Sequence, residues 1–345
     1  MTVKPRIALV GLGMAVTPHA RGLFDLANDG RVDVVAAFAP SAERRARFAR
    51  DFPFPPADDL DAIFADSSID AVGILTPPNT HLDLVRRAAA AGKHILLEKP
   101  LEISIARSQE LVRVAEDAGV TMAVMLQHRF RPAGARLGAI LASGALGDIV
   151  NCSTSIRLWR PQGYYDEPGR GTKARDGGGV LLTQGIHTVD LMLSLAGPIA
   201  EVTGFAQTSP VHRMETEDMV AAAVRFANGA IGVIEATTAV YPGFAERIDI
   251  AGTRGSACLA GTSLAVTLMD GTREDMVPDG SAGGTGADPM AFPHDYHRAV
   301  WADFIDAIVS GREPRVTGRE ALRVHHLIEA LLASGATGQP VRVVQ

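Results

Sequence analysis

Residues 7–16 read Ile-Ala-Leu-Val-Gly-Leu-Gly-Met-Ala-Val, and this stretch decides the fold. Its four leading residues are apolar and predict a buried strand, while the glycines predict a tight turn that leads into a helix. In that setting the small residues let a pyrophosphate approach the helix N-terminus, where free N–H groups and the helix dipole favour anions. We therefore expect dinucleotide contacts from four turn residues: Gly11, Gly13, Met14 and Ala15.

The dinucleotide-binding pattern is incomplete at its last position. Val16 stands where the third glycine is usual. That glycine mainly serves close packing of the helix on the sheet, so we expect a slightly displaced helix and not a loss of binding. A glycine turn without a ligand is the alternative interpretation.

The alternation of strand and helix continues to about residue 126. Apolar runs without polar alternation predict parallel strands that are buried on both faces. These runs are Ile7–Val10, Val32–Ala37, Ala71–Leu75, His94–Leu97 and Val120–Leu126. Helices are predicted over Ala42–Asp51, over Leu82–Ala91 and from Ser104 to near Gly119. We expect a doubly wound parallel sheet, with residues 1–126 as the dinucleotide-binding domain.

The pattern changes after Ile149, because strands then tend to follow strands. Asn228-Gly229 and Asp270-Gly271 are strong hairpin signals between strand-like runs, the first pair being Met219–Phe226 and Ala230–Ala236. Other predicted segments are a glycine turn with a helix over Gly177–Ala196, a mobile loop over Pro278–Pro293, and closing helices over His294–Ser310 and Arg319–Ser334. Residues 127–345 should form a mainly antiparallel domain for substrate binding and oligomerisation, and the last helices could pack on the first domain.

Composition and charge argue against several classes of protein. The 345 residues exceed what one hydrophobic core usually supports. A net charge of -6 with dispersed basic residues argues against nucleic-acid binding. No apolar run is expected to reach the roughly 18 residues that a membrane span needs, so we expect a cytoplasmic protein without a membrane. Cys152 and Cys258 lie far apart in strand-like segments, which predicts neither a disulfide nor a metal site.

The end of the second strand bears on cofactor choice. NAD enzymes usually place a carboxylate there to bind the ribose 2′-hydroxyl. Here the segment after Phe38 offers no carboxylate at that point, since Glu43 should lie within the next helix. Ser41 and Arg44 could accept a 2′-phosphate, so NADP is slightly favoured over NAD. The alternative is that the arginines of this segment are solvated helix residues.

Four short motifs occur in a specific order and spacing. They are Gly11-x-Gly13 with His19, Thr76-Pro77-Pro78-Asn79-Thr80-His81, Glu98-Lys99-Pro100, and Gly177-Gly178-Gly179 leading to His187 and Asp190. On these motifs the chain resembles the glucose-fructose oxidoreductase and inositol dehydrogenase family, called Gfo/Idh/MocA, over nearly its whole length. The resemblance implies a Rossmann domain, an α/β domain with a large open and mainly antiparallel sheet, hydride transfer at a sugar or polyol carbon, and homodimers or homotetramers.

The resemblance also assigns residues to the site. It implies cofactor contacts from Thr76, Pro77, Asn79, His81, Glu98 and Lys99. Lys99 is placed beside the nicotinamide and the reacting hydroxyl, and its position at the carboxyl end of a parallel strand agrees with this. A cis bond before Pro100 is implied as well. His187 is expected to contact the substrate hydroxyl and to assist proton transfer.

Thr183 departs from the family pattern. Many members carry an aspartate there, and a threonine cannot act as a carboxylate base. Three alternatives follow: His187 and Lys99 manage the proton alone, Thr183 only hydrogen-bonds the substrate, or the protein is a weak catalyst. Thr183, His187 and Asp190 should share one helix face, where Asp190 either orients the histidine or anchors the helix.

Substrate specificity is expected in Arg129 and in the segment 157–175. Aromatic rings stack on the apolar faces of sugars, and arginines bind hydroxyls or a carboxylate. The candidate contacts are Arg129, Trp159, Tyr165, Arg170, Thr183 and His187. These charged residues could equally line a subunit interface or the surface.

Two functions of different classes remain open. The first is an NAD(P)-dependent dehydrogenase that acts on CH–OH groups of a sugar, polyol or sugar acid. The second is a nicotinamide-nucleotide-dependent sensor or regulator on the same fold, which Thr183 slightly favours. A bond cleavage with transient oxidation would use the same residues.

Overall fold

The computed structural model describes residues 4–277 and 293–344. The predicted loop over Pro278–Pro293 lies outside the described residues except for its last position. The strands are β1 (Arg6–Val10), β2 (Asp33–Phe38), β3 (Pro56–Ala57), β4 (Ala71–Ile74), β5 (His94–Leu97), β6 (Met122–Val124), β7 (Ile149–Arg157), β8 (Ile199–Gln207), β9 (Met219–Phe226), β10 (Ile231–Thr237), β11 (Arg247–Gly252), β12 (Gly255–Ala260), β13 (Ser263–Leu268), β14 (Arg273–Met276) and β15 (Val341–Arg342).

The helices follow the same chain order. They are α1 (Val16–Asn28), α2 (Ala42–Asp51), α3 (Leu60–Ala65), α4 (His81–Ala90), α5 (Ile105–Asp117), α6 (Pro132–Ala142), α7 (Gln162–Tyr165), α8 (Lys173–Asp176), α9 (Ile186–Ala196), α10 (Asp295–Ser310) and α11 (Gly318–Thr337). A π-helical turn, Leu181–Gly185, directly precedes α9. The chain divides into two compact units, residues 1–127 with 293–322 and residues 128–292 with 323–345.

The first unit contains a six-stranded parallel sheet in the order β3-β2-β1-β4-β5-β6. This is the doubly wound arrangement, and it confirms the predicted Rossmann fold. Strand β4 is buried along its whole length, as the continuous apolar run predicts. Ser41 and Ser104 cap α2 and α5 by accepting backbone N–H groups three residues ahead, so local capping chemistry sets both helix starts.

The second unit contains a nine-stranded sheet in the order β14-β13-β12-β11-β7-β10-β9-β8-β15. Its pairs are antiparallel except that of β7 with β10, which confirms the predicted mainly antiparallel sheet. Both predicted hairpins form. Gly229 and Gly271 take positive φ at the turns, while the side chains of Asn228 and Asp270 accept backbone N–H groups two residues ahead.

One helical stretch bears on the expectation about membrane spans. Within the described residues, Lys173–Ala196 is long and apolar enough to cross a membrane by length and composition. However, 78% of its apolar window is buried inside the protein. A core helix passes the same test, so this stretch is weak evidence for a membrane span.

Candidate active site

The turn after β1 leaves its backbone accessible beside the N-terminus of α1. Gly11 has a φ of +109°, and a Cβ there would lie 2.7 Å from the carbonyl carbon of Leu75, so only glycine fits. A Cβ at Gly13 would meet no described atom within 4 Å, so the backbone there borders open space. The N-cap residue of α1 is Ala15, which has no polar side chain to bond the first backbone N–H groups. These N–H groups therefore remain accessible to an anion. Met14 is exposed. These four residues fit the pyrophosphate of a dinucleotide.

The end of β2 presents a hydroxyl and one exposed guanidinium. The Oγ of Ser41 accepts the backbone N–H of Arg44 at 3.2 Å, so its own proton remains available to donate. The side chain of Arg44 is exposed at the first turn of α2. Arg45 instead donates to the carbonyls of Ala39 and Pro40, at 2.6 and 3.1 Å. Of the two arginines, only Arg44 is therefore suited to meet a 2′-phosphate.

The segment from Thr76 to His81 is held by its own hydrogen bonds. The hydroxyl of Thr80 lies 2.7 Å from the Oγ1 of Thr76 and 2.7 Å from the carbonyl oxygen of Pro77. Pro77 and Asn79 are exposed, as cofactor contacts require.

His81 does not fit the predicted cofactor contact. It is fully buried, and its Nε2 lies 2.8 Å from the carbonyl oxygen of Thr76. Its Nδ1 lies 3.1 Å from the carbonyl oxygens of Pro100 and Leu101. Burial lowers the pKa of His81, against the carbonyl contacts that raise it. His81 thus links the segment at Thr76 to the segment at Pro100 and Leu101, so we assign it a structural role in the first unit.

Glu98 follows β5 and is buried beside the predicted catalytic lysine. Its Oε2 accepts the backbone N–H of Lys99 at 2.9 Å, and its Oε1 lies 2.7 Å from the Nε2 of His19. Burial would raise the pKa of Glu98, but the hydrogen bond from His19 and the charge of Lys99 outweigh it and hold the pKa at about 2. Glu98 is therefore a carboxylate at neutral pH. The Lys99–Pro100 peptide bond is cis, as the resemblance implied.

In the second unit, Glu217 organises the glycine turn before α9. Its two carboxylate oxygens accept the backbone N–H groups of Gly179 at 3.0 Å and Leu181 at 3.2 Å. Its carbonyl oxygen accepts the N–H of Val180 at 2.8 Å. A Cβ at Gly179 would lie 1.7 Å from that carbonyl oxygen, which explains why this position is glycine. Burial raises the pKa of Glu217, while the backbone N–H groups lower it.

Thr183 lies in the π-helical turn, so the regular helix face expected for positions 183, 187 and 190 is interrupted. Its Oγ1 lies 2.6 Å from the carbonyl oxygen of Gly179 and 2.5 Å from the Oε1 of Gln184. Both of these atoms are acceptors, so the single hydroxyl proton points into the protein. Toward a substrate, Thr183 can therefore accept a hydrogen bond.

His187 stacks against a second histidine that sequence reasoning did not identify. The rings of His187 and His128 have centroids 4.9 Å apart and are tilted by 31°. The Nδ1 of His128 lies 3.4 Å from the Oγ1 of Thr188 and 3.7 Å from a carboxylate oxygen of Glu246. Burial raises the pKa of Glu246, against the opposing charge of Arg131. A buried polar cluster thus adjoins His187.

Arg129 does not fit the predicted substrate contact. Its Nε and one terminal nitrogen donate to the two oxygens of Asp190, at 2.8 and 2.6 Å, and both residues are buried. A bidentate buried pair of this kind fixes geometry, and loss of one partner would leave an uncompensated charge. Asp190 therefore anchors α9 through Arg129.

The predicted aromatic contacts differ in accessibility. Tyr165 is buried, its hydroxyl lies 2.7 Å from the Oγ1 of Thr238, and burial raises its pKa, so it is a core residue and not a substrate contact. Trp159 is half-buried, with Tyr241 edge-on at 5.6 Å. The guanidinium of Arg170 lies 4.1 Å from the ring centre of Tyr164. Arg170 also donates to one carboxylate oxygen of Glu167, at 2.7 and 3.1 Å. Both Trp159 and Arg170 are partly accessible, as sugar contacts need to be.

The structure brings the predicted residues together in two groups. Thr76, Glu98, Lys99 and Pro100 gather in the first unit, and Thr183 and His187 lie in the second. Sequence reasoning missed Glu217, His128 and Glu246. The hydrogen-bond partners of Glu217 lie 36 and 38 residues away in the sequence, and the partner of His128 lies 60 residues away. No local sequence pattern could therefore have identified these residues.

Two family models match this chain in succession. Residues 5–126 match the oxidoreductase family with an NAD-binding Rossmann fold, and residues 135–258 match the GFO/IDH/MocA C-terminal domain. The chain belongs to the Gfo/Idh/MocA oxidoreductase family. The resemblance seen in the motifs is therefore confirmed, and so is the expectation of a nicotinamide-dependent oxidoreductase.

Members of the family with known activities match most of the chain. The scyllo-inositol 2-dehydrogenase (NAD(+)) of Bacillus subtilis is 27% identical over 99% of this chain and 97% of its own. The D-xylose 1-dehydrogenase (NADP(+)) 2 of Haloferax volcanii is 28% identical over 89% of this chain and 91% of its own. A levoglucosan dehydrogenase solved with NADH and levoglucosan is 25% identical, with a TM-score of 0.89 over 99% of this chain and 100% of its own. Gfo/Idh/MocA proteins similar to this chain thus include both NAD and NADP enzymes.

Proposed function

We propose that this Gfo/Idh/MocA protein transfers hydride between a nicotinamide cofactor and a hydroxyl-bearing carbon of a sugar, polyol or sugar acid. Residues 1–126 would bind the dinucleotide and residues 127–345 the substrate. The observation that carries the proposal is the Glu98-Lys99-Pro100 turn at the carboxyl end of β5, where parallel sheets bind ligands. The related enzymes act on inositol, xylose and levoglucosan, which supports this substrate class.

The residues have separate roles in this proposal. The nicotinamide supplies the hydride acceptor or donor. Lys99 aligns the reacting hydroxyl and moves its proton, while His187 acts as an acid-base group on the substrate. Thr183 accepts a hydrogen bond and takes no proton, which follows from its commitment to Gly179 and Gln184. Trp159 and Arg170 are the proposed specificity contacts.

NADP is the proposed preferred cofactor. Support comes from the exposed Arg44 and from Ser41, whose hydroxyl proton is available to a phosphate oxygen. A carboxylate in this place would repel a 2′-phosphate, and the sequence after Phe38 offers none before Glu43. The remaining cofactor contacts are proposed at the Gly11 turn and at Thr76, Pro77 and Asn79.

The protein is also proposed to be a homodimer or homotetramer. The outer face of the nine-stranded sheet exposes apolar side chains on paired strands, namely Phe205 on β8 and Ile231 and Val233 on β10. Alanines of β9 lie between them on the same face. A flat apolar face of this kind commonly mediates association. We further propose a cytoplasmic location, with Cys152 and Cys258 both unpaired.

The experiment that tests the function is a substrate screen with both cofactors. Sugars, inositols and sugar acids are incubated with NAD(H) and NADP(H), and nicotinamide absorbance is followed. Lys99→Met should retain cofactor binding but lose on the order of 10² or more in turnover, and the exposed Lys4→Met is the charge-matched control. Turnover of Lys99→Met close to that of the wild type would remove Lys99 from the mechanism. Cofactor binding without turnover of any substrate would favour the sensor.

A further inference from the structure

The indole of Trp301 fixes the protonation pattern of His19. Its Nε1 lies 3.1 Å from the Nδ1 of His19, and both rings are fully buried. An indole nitrogen can only donate, so the Nδ1 of His19 must carry a lone pair. The proton of the neutral ring then resides on Nε2, which faces the Oε1 of Glu98 at 2.7 Å.

The chain of hydrogen bonds ends at the backbone of Lys99. One carboxylate oxygen of Glu98 accepts a hydrogen bond from the Nε2–H of His19, and the other accepts one from the backbone N–H of Lys99. Both carboxylate oxygens are therefore engaged. Hydrogen bonds to an ionised acceptor are shorter and stronger than neutral ones. Trp301 donates to His19, and His19 donates to Glu98. The peptide N–H of Lys99 donates to the other oxygen of Glu98.

Trp301 reaches this place because two glycines admit helix α10. A Cβ at Gly73, on β4, would lie 2.7 Å from the Cη2 of the indole. A Cβ at Gly22, on α1, would lie 2.9 Å from the backbone of Arg298. Arg298 also pairs with Asp29 at 2.6 Å. The ring position is therefore set by close packing within the first unit and leaves little room for adjustment.

A metal centre is the competing interpretation of this cluster. His19, Glu98 and His297 are buried and offer ligand atoms within 4.8 Å of one another. A metal on the Nε2 of His19 would need that lone pair and would move the proton to Nδ1. Two donors, that proton and the indole N–H of Trp301, would then oppose each other at 3.1 Å. The geometry favours the hydrogen-bond chain.

We propose that Trp301, acting through His19 and Glu98, is a positioning residue that holds the Lys99 turn in its working geometry. The inference rests on the proposed function of Lys99. It assigns a catalytic purpose to α10, a helix that lies almost 200 residues after Lys99 in the sequence.

The first test measures the tautomer directly. Long-range ¹H–¹⁵N spectra of protein labelled on histidine should show His19 protonated on Nε2 and unprotonated on Nδ1 at neutral pH. In Trp301→Phe the Nδ1 of His19 should lose its hydrogen bond and its ¹⁵N resonance should move, while Nε2 stays protonated because it faces the carboxylate of Glu98. A wild-type ring protonated on Nδ1 would overturn the proposal, and so would a stoichiometric metal in the purified wild type that His19→Gln lacks. This test holds even if the variants fold poorly, because the wild type alone decides it.

The second test measures turnover. Trp301→Phe should lose about tenfold in kcat, with cofactor affinity unchanged within about twofold, since one hydrogen bond is removed. Phe304→Leu is the control, because Phe304 is buried on the same helix and contacts Trp301 edge-on without a hydrogen bond. The double variant Trp301→Phe/His19→Gln should be no slower than the slower single variant. Fully additive losses, or an equal loss in Phe304→Leu, would contradict the chain.

The two proposals fail in distinguishable ways. If Lys99→Met turns over like the wild type, the role of Lys99 is wrong even when the tautomer of His19 is as stated. If Lys99→Met is inactive but Trp301→Phe keeps full kcat, the positioning role of Trp301 is wrong and the proposed function stands.

Discussion

Glu217 accepts the backbone N–H of Gly179 at 3.0 Å across 38 residues of sequence, and its other oxygen accepts that of Leu181. This buried carboxylate caps the turn that leads through Thr183 to His187. The positions of Thr183 and His187 thus depend on a side chain outside every motif.

Glu217→Gln should lower the free energy of unfolding by about 1 to 3 kcal/mol, because the amide NH₂ group would face a backbone N–H and leave it unsatisfied. Urea unfolding followed by circular dichroism measures this. The control is Glu215→Gln, since Glu215 also accepts a backbone N–H, from Lys173, but is exposed. Equal stability of the two variants would mean that the Glu217 cap contributes little.

Arg44→Ala should weaken NADP(H) binding selectively, by roughly tenfold or more, because the lost contact is to the 2′-phosphate alone. Cofactor affinities are measured by fluorescence titration with both cofactors. Arg47→Ala is the matched control, being an exposed arginine on the same helix. Equal weakening of NAD(H) would show that Arg44 has another role, and a strong preference of the wild type for NAD(H) would refute the proposed cofactor choice.

His187→Asn should slow turnover by roughly 10² to 10⁴ and remove one limb of the pH–rate profile, because an asparagine side chain cannot take up or release the proton. Thr183→Val should cost at most about tenfold, since it removes one hydrogen bond. Steady-state kinetics across pH distinguish the two. A more damaging effect of Thr183→Val would invert the assigned roles, and activity created by Thr183→Asp in an inactive wild type would identify the missing carboxylate as the defect.

Protein stability should fall as the pH drops from 6.5 to 5. Burial lowers the pKa of His297 and of His325 from 6.5 to about 3. In this range the unfolded chain binds protons that the folded protein excludes, so the free energy of unfolding rises with pH, by up to about 1.4 kcal/mol per pH unit for each group.

The variant His325→Gln isolates this effect, because Glu217 and Glu246 act with the opposite sign through their raised pKa values. Its stability, measured by urea unfolding at both pH values, should depend on pH less steeply than that of the wild type by up to about 1.4 kcal/mol per pH unit. Parallel curves for variant and wild type would contradict the neutral state of His325.

Much of the fold follows from local sequence patterns. The hairpin at Asn228-Gly229 forms where the sequence predicts it, and α10 begins at Asp295, one residue after the predicted start. The short elements β3 and α3 were not predicted, because β3 has only two residues and α3 six. The glycine turn and helix predicted over Gly177–Ala196 contain a π-helical turn, Leu181–Gly185, which helix periodicity does not predict.

The functional residues also divide into those that local sequence identifies and those that depend on remote contacts. Sequence position after β5 identifies Lys99 as a candidate, but His81, Arg129 and Tyr165, which were expected to contact ligands, are buried and bonded to protein atoms. Residue type alone cannot reveal this, because a histidine, arginine or tyrosine serves either role. The partners that decide between the roles are remote in sequence.

The sequence by itself determined the alternation of the main strands and helices in the first domain, the glycine turn at Gly11 and the position of Lys99, because hydrophobic periodicity and turn chemistry act within a few residues. Only the tertiary structure decided which polar groups are consumed inside the protein and which remain for a ligand. Trp301 meets His19 across 282 residues, and such a contact depends on close packing against Gly73. Packing brings remote groups within hydrogen-bonding distance, and buried polar groups then take the partners that the fold provides.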